Sequence, residues 1–135
     1  MNERVSNGEV YRDDYYVVRV EPGLLRLERT AAPYPTMAAM HESNLGLAAA
    51  LRGSGLRRVL LDLRKGPPGR NDATFESELA PWRIQLSKEC ERVAVLVRSI
   101  AGKLQAQRLS RDENRGGVAN VFMSEAEALA YLAKP

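Results

Sequence analysis

Few residues in this 135-residue chain can do acid–base or nucleophilic work. His41 is its single histidine and Cys90 its single cysteine. Nucleophilic catalysis of the Ser-His-Asp or Cys-His kind needs a histidine held between a nucleophile and an orienting group. His41 lies among Met40, Glu42 and Ser43 in a helix-patterned stretch and reads as a surface histidine. Cys90 stands between Glu89 and Glu91, whose charges oppose a thiolate, and it has no CxxC partner. It reads as a small buried hydrophobe in a reducing compartment. The sequence contains no HExxH, no Cys/His cluster at zinc spacing, no EF-hand pattern, no P-loop and no GxGxxG. Gly66-Pro67-Pro68-Gly69 is glycine-containing, but its prolines lack the amide donors that a phosphate cradle uses. The expectation is a non-catalytic protein without a metal or cofactor.

The stronger chemical signal is electrostatic. Arg64, Lys65 and Arg70 follow the apolar run Val59–Leu63, and Arg98 and Ser99 follow Val93–Val97. Ser124 follows the shorter run 118–122. Ligands in open α/β sheets bind outside the carboxyl ends of the strands, where helix N-termini add partial positive charge. If these runs are neighbouring parallel strands, the cations gather on one edge. A phosphate, a carboxylate or an acidic partner loop would bind there, unless the arginines pair locally with Asp62, Asp72 or Glu76.

The elements that must position these residues follow from the patterning. Residues 1–13 are polar and read as a loose tail, with one domain over 14–135. Tyr15 to Val20 and Leu24 to Arg29 are β-rich runs flanking Glu21-Pro22-Gly23, which reads as a hairpin. Leu25 and Leu27 alternate against Arg26 and Glu28. Thr36 caps a helix to about Arg52, with Met37, Met40, Leu47 and Leu51 near one stripe, and Gly53-Ser54-Gly55 ends it. Val59–Leu63 and Val93–Val97 read as strands covered on both faces. Asn71 or Asp72 caps a second helix carrying Phe75, Leu79, Trp82 and Leu86 at i, i+4, i+7 and i+11, with a bend or late start at Pro81. Trp82 reads as core, or as a pocket wall if Pro81 bends the helix. Ser99 caps a third helix with Ile100, Leu104 and Leu109 inward. Ser124-Glu125-Ala126-Glu127 is a capping box opening a helix that buries Ala126, Leu129 and Leu132.

The expected order is β-β-α-β-α-β-α-β-α: an α/β fold with a mixed, mostly parallel sheet, an N-terminal antiparallel hairpin and four helices. The net charge of +3, from 20 basic and 17 acidic residues, is too small an excess for a nucleic-acid binder. No apolar run approaches the roughly 18 residues of a membrane span, and the polar N-terminus reads as no signal peptide, so the expected location is cytoplasmic.

The order resembles the STAS / SpoIIAA-like superfamily, typified by anti-sigma-factor antagonists. The stretches that carry the likeness are Arg58 to Leu63, Arg92 to Arg98 running into Gly102-Lys103-Leu104-Gln105, and Val121 to Leu132. The resemblance implies a non-catalytic regulatory or scaffolding domain of bacterial signalling that docks a protein partner. In that family a Ser or Thr opening the helix after the third strand is phosphorylated. Here the matching segment, Arg64 to Glu76, lacks the Asp-Ser-Ser-type element, and Thr74 and Ser77 are its nearest hydroxyls. The other function carried forward is a binder of a small anionic or lipid-like ligand, which requires an apolar pocket beneath the basic rim.

Overall fold

The computed structural model describes residues 8–67, 73–112 and 118–135. Arg70 and the proposed caps Asn71 and Asp72 lie outside them. The chain forms a mixed sheet of six strands among the described residues: β1 (Glu9–Arg12), β2 (Tyr16–Glu21), β3 (Leu24–Arg29), β4 (Arg58–Asp62), β5 (Arg92–Leu96) and β6 (Ala119–Phe122), side by side in sequence order. The hairpin is present: β2 and β3 are antiparallel with Glu21 opposite Leu24, and Gly23 has φ of 78°. From β3 to β6 every pairing is parallel, and β4 and β5 are neighbours in register from Arg58 opposite Arg92 to Asp62 opposite Leu96. The trailing turns of both apolar runs therefore leave from one edge.

β1 corrects the expected tail. Glu9–Arg12 pairs antiparallel with β2. The segment escapes an apolar-pattern reading because Val10 is half exposed and only Tyr11 packs against the core. Ladder hydrogen bonds, rather than burial, hold an edge strand of this kind.

Helices α1 (Met37–Ser54), α2 (Ala73–Glu89) and α3 (Ile100–Asp112) connect successive parallel strands. Right-handed crossovers between strands in sequential order place all three on the same face. Helix α4 (Glu125–Leu132), after the last strand, covers the other. The core divides accordingly. Val18, Leu25, Leu27, Val59, Leu61, Val93 and Val95 meet Leu47 and Leu51 of α1 and Leu86 of α2. Leu24, Leu60, Ala94 and Leu96 meet Ala128 and Leu132 of α4. Burial on both faces explains the unbroken apolar runs.

Local signals end the helices where expected. Thr36 accepts from the Ala39 amide, and Gly55 closes α1 with φ of 70° and its N–H on the Arg52 carbonyl. Ser124 accepts from the Glu127 amide. At the other end of α4, Arg58 donates to the Leu132 and Lys134 carbonyls and Arg92 to that of Tyr131, cations at a helix C-terminus. α2 starts at Ala73 and runs through Pro81, so of the bend or late start expected at the proline the late start is absent.

Two helical faces differ from expectation. In α3, Ile100 and Leu104 are exposed (68% and 62%), and the side chain of Leu109 is not among those described. The helix instead approaches through small residues: a Cβ on Gly102 would stand 3.7 Å from that of Val97, and Ala106 packs on the core. Its partner strand, β6, has four residues and sits at the sheet edge, so little apolar surface is available. In α4, Ala126 is exposed and Ala128 fully buried, with Leu132 one turn on. Positions 128 and 132 share a face, and 126 lies about 200° away. Met37 of α1 is also only partly buried.

The close approach of β1 to α1 can be tested. A Cβ on Gly46 would lie 2.1 Å from Tyr11 Oη, whereas one on Gly53 would meet nothing within 4 Å. Gly46→Ala should undock Tyr11 and lower stability by about 1 kcal/mol or more. Gly53→Ala should raise it by up to ~1 kcal/mol. Urea denaturation of the two variants gives the opposed signs.

Candidate functional site

At the carboxyl edge the two faces of the sheet differ in chemistry. Strand alternation sends Arg26, Glu28 and Asp62 to the α4 face, with Leu24 and Leu60. Asp62 is 3% exposed. It accepts from Arg64 Nε at 3.0 Å and Nη2 at 2.8 Å, and from the Arg64 amide at 3.1 Å. Arg64 Nη2 also reaches Glu125 at 2.7 Å. Arg26 bridges Glu21 at 2.7 Å, Glu125 at 3.1 Å and Asp62 at 3.6 Å. Beside them Glu28 pairs with Arg19 at 2.9 Å and Lys65 at 3.0 Å.

Two of the anticipated anion-binding cations are therefore already paired. Arg98, whose Nη1 donates to the carbonyls of Arg64 and Gly66, ties the exit of β5 to the loop after β4. Ser99 accepts from the Gly102 amide and caps α3. Arg70 lies outside the described residues. Thr74 and Ser77 are exposed on the first turns of α2. His41 is exposed and meets Glu78 of α2 at 2.9 Å. Cys90 is buried, and desolvation, with Glu89 second, pushes its thiol up to about 11, which leaves it inert at neutral pH.

The α1/α2 face of the same edge holds a cavity of about 340 Å³. Its sheet side is Tyr16, Arg29 and Leu61, continued by Leu63, Gly66 and Pro67 of the loop after β4 and by Pro33 and Tyr34 before α1. Its helix side is Phe75, Leu79, Trp82 and Arg83. The helical stripe of α2 is thus mainly a pocket wall: of its members only Leu86 is buried, and Trp82 is half-buried against both core and cavity.

Arg29 is the unusual member. It follows Leu25 and Leu27 on the inward face and is 6% exposed. Nη1 donates to the carbonyls of Ala32 at 2.7 Å, Thr30 at 2.9 Å and Tyr15 at 3.4 Å. Its guanidinium carbon lies 4.5 Å from the ring centre of Tyr34 and 5.7 Å from those of Tyr15 and Tyr16. No carboxylate pairs with it among the described residues. Asp13, which acts on the same tyrosines, is taken up by the amides of Tyr15 and Tyr16 and the hydroxyls of Tyr11 and Ser43, each at 2.7–2.8 Å. Burial pushes the Tyr16 and Tyr34 phenols up and outweighs the opposing pull of Arg29, so both stay protonated at neutral pH. Arg83 meets Glu76 at 2.9 Å. A Cβ on Gly66 would stand 3.0 Å from Arg29 Cγ, so the loop packs on the arginine stem only because residue 66 has no side chain.

Arg29, Tyr16 and Tyr34 were missed in the sequence, although a signal existed. The period of two that turns Leu25 and Leu27 inward also turns Arg29 inward, and a charge on a buried parity is a site candidate.

No protein-family model matches the chain, and no curated protein matches it significantly. The functional reading rests on this geometry.

The ion-pair network makes a pH prediction. Burial opposes ionisation of Asp62, but the bonds from Arg64 and the charge of Arg26 win and hold its carboxyl below the usual range. Glu28 and Glu125 are lowered as well, Glu28 by Lys65 and Arg19 against burial, Glu125 by Arg26 and Arg64. A folded-state pKa below the unfolded value contributes stability that is present above about pH 4 and lost as pH falls through the folded value. Unfolding free energy should therefore decline below about pH 4. Asp62→Asn should cost about 2 kcal/mol at pH 7, less than a fully buried pair because Arg64 and Glu125 remain partly solvated, and should flatten the acid limb. Denaturant titrations between pH 2 and 7 check both.

Proposed function

We propose that this protein is a non-catalytic ligand-binding domain that admits a small, mainly apolar molecule between α2 and the sheet. The supporting observation is the cavity of about 340 Å³ walled by Leu61, Leu63, Phe75, Leu79 and Trp82. Its size is at the lower end of ligand sites, which run from ~300 to ~1,000 Å³ and combine apolar walls with a few polar groups. The basic rim supports an anion site less well, because Arg64 and Lys65 already have carboxylate partners.

The kinship with STAS / SpoIIAA-like domains and a signalling role in the bacterial cytoplasm belong to the same proposal. α2 presents the cavity wall on one side and the exposed Thr74, Ser77 and Glu78 on the other. A molecule held beneath α2 would thus alter the surface that a protein partner reads, and a phosphate on Thr74 or Ser77 would act on that helix too.

Trp82 is the only tryptophan, so its emission reports the site without labelling. Phenylbutyramide, a neutral arylalkyl probe, should give a saturable change in that emission. Leu79→Arg, which puts bulk and charge into the wall, should weaken binding roughly tenfold or more while α2 still folds. A linear, non-saturating response of the wild type would overturn the reading.

A further inference from the structure

The cavity holds one charge, Arg29, that has no carboxylate partner among the described residues. Arg19, Arg26, Arg64 and Arg83 each have a carboxylate within 3.1 Å. Arg29, buried as deeply as core leucines, has none among the described residues. Its three hydrogen bonds all leave from Nη1, and Nε and Nη2 make none to a described residue. Buried charges are normally paired as well as hydrogen-bonded, because desolvation is costly. Three tyrosine rings and three carbonyls offset part of that cost and hold the guanidinium in place. Asp13 does not complete the pair, since two amides and two hydroxyls already occupy its oxygens.

On the reading of the cavity as a ligand site, we infer that its ligand is an amphipathic monocarboxylate whose carboxylate meets Arg29 while its apolar body lies against Phe75, Leu79 and Trp82. The guanidinium fork matches a planar carboxylate with two parallel donors. One negative charge is what the site balances. The other cation in the wall, Arg83, is already matched by Glu76, and the remaining lining is largely apolar. A phosphate dianion would keep a second charge without a partner in that setting. The competing view is that Arg29 only ties together the chain between β3 and α1 through its three carbonyls.

The experiment compares phenylbutyrate with phenylbutyramide, the same body with and without the charge, by Trp82 emission at pH 7. The carboxylate should bind roughly tenfold or more tightly, the value of one charge-assisted contact. That advantage should vanish in Arg29→Gln and survive in part in Arg29→Lys. If the glutamine variant does not fold, the wild-type Arg29 Nε–Hε resonance serves instead: it should shift with phenylbutyrate and not with the amide. Equal affinities for the two probes, or an unmoved Arg29 resonance at saturation, would overturn the inference and leave the cavity reading standing. No saturable binding of either probe would overturn both.

Discussion

A β-strand can send a side chain to only two sides, and in β3 that alternation governs the whole carboxyl edge. Arg26 and Glu28 go to the α4 face and Arg29 to the α1/α2 face. On the α4 face the neighbouring strand offers Asp62, so charges find counter-charges and the surface closes into a network of ion pairs. On the opposite face the neighbours at the same level are Leu61 and Leu63, so the arginine enters apolar surroundings with aromatic rings as its main company. One strand end thus builds a neutralised rim and a singly charged pocket back to back.

The two are mechanically joined through the loop after β4. Arg64 is pulled to the α4 face by Asp62 and Glu125, while its carbonyl and that of Gly66 accept from Arg98. Gly66 in turn lies on the stem of Arg29. Arg64, Lys65 and Arg98, which suggest an anion site in the sequence, hold this loop where it walls the pocket. Their charge goes to positioning, whereas Arg29 has no carboxylate partner among the described residues.

The parallel sheet was legible because its central strands carry a strong local pattern. Val59–Leu61 and Val93–Leu96 are apolar without a break, which only burial on both faces requires. Thr36, Gly55 and Ser124 announce helix ends through short-range hydrogen bonds that need no tertiary information. β1 was hidden because a ladder at a sheet edge needs a partner strand and no apolar pattern. The inward face of α3 was misjudged because packing against a short edge strand selects Gly102 and Ala106 over larger residues nearby, whereas in α4 Leu129 and Leu132 meet the core as expected and only Ala126 gives way to Ala128. The pocket was half legible: the stripe of Phe75, Leu79 and Trp82 is plain in the sequence, but what stands opposite depends on which strand end α2 crosses. Arg29, Tyr16 and Tyr34 lie far from α2 in the chain, and only the sheet order brings them together.

That opposition also explains why the stripe is not simply core. Leu86, one turn beyond Trp82, reaches the sheet and is buried, so the C-terminal half of α2 sets the helix against Leu27 and α1. Toward its N-terminal half the sheet surface changes from leucine to the guanidinium and phenols of Arg29, Tyr16 and Tyr34. Apolar side chains gain little by closing onto a charge whose remaining donors they cannot satisfy. The cavity lies at this junction, with Phe75, Leu79, Trp82 and the Glu76-paired Arg83 along the helix and Arg29 beside Leu61 at the sheet. A molecule with an apolar body and one anionic end, as proposed above, would match both halves at once, and its binding would stabilise the fold by mass action.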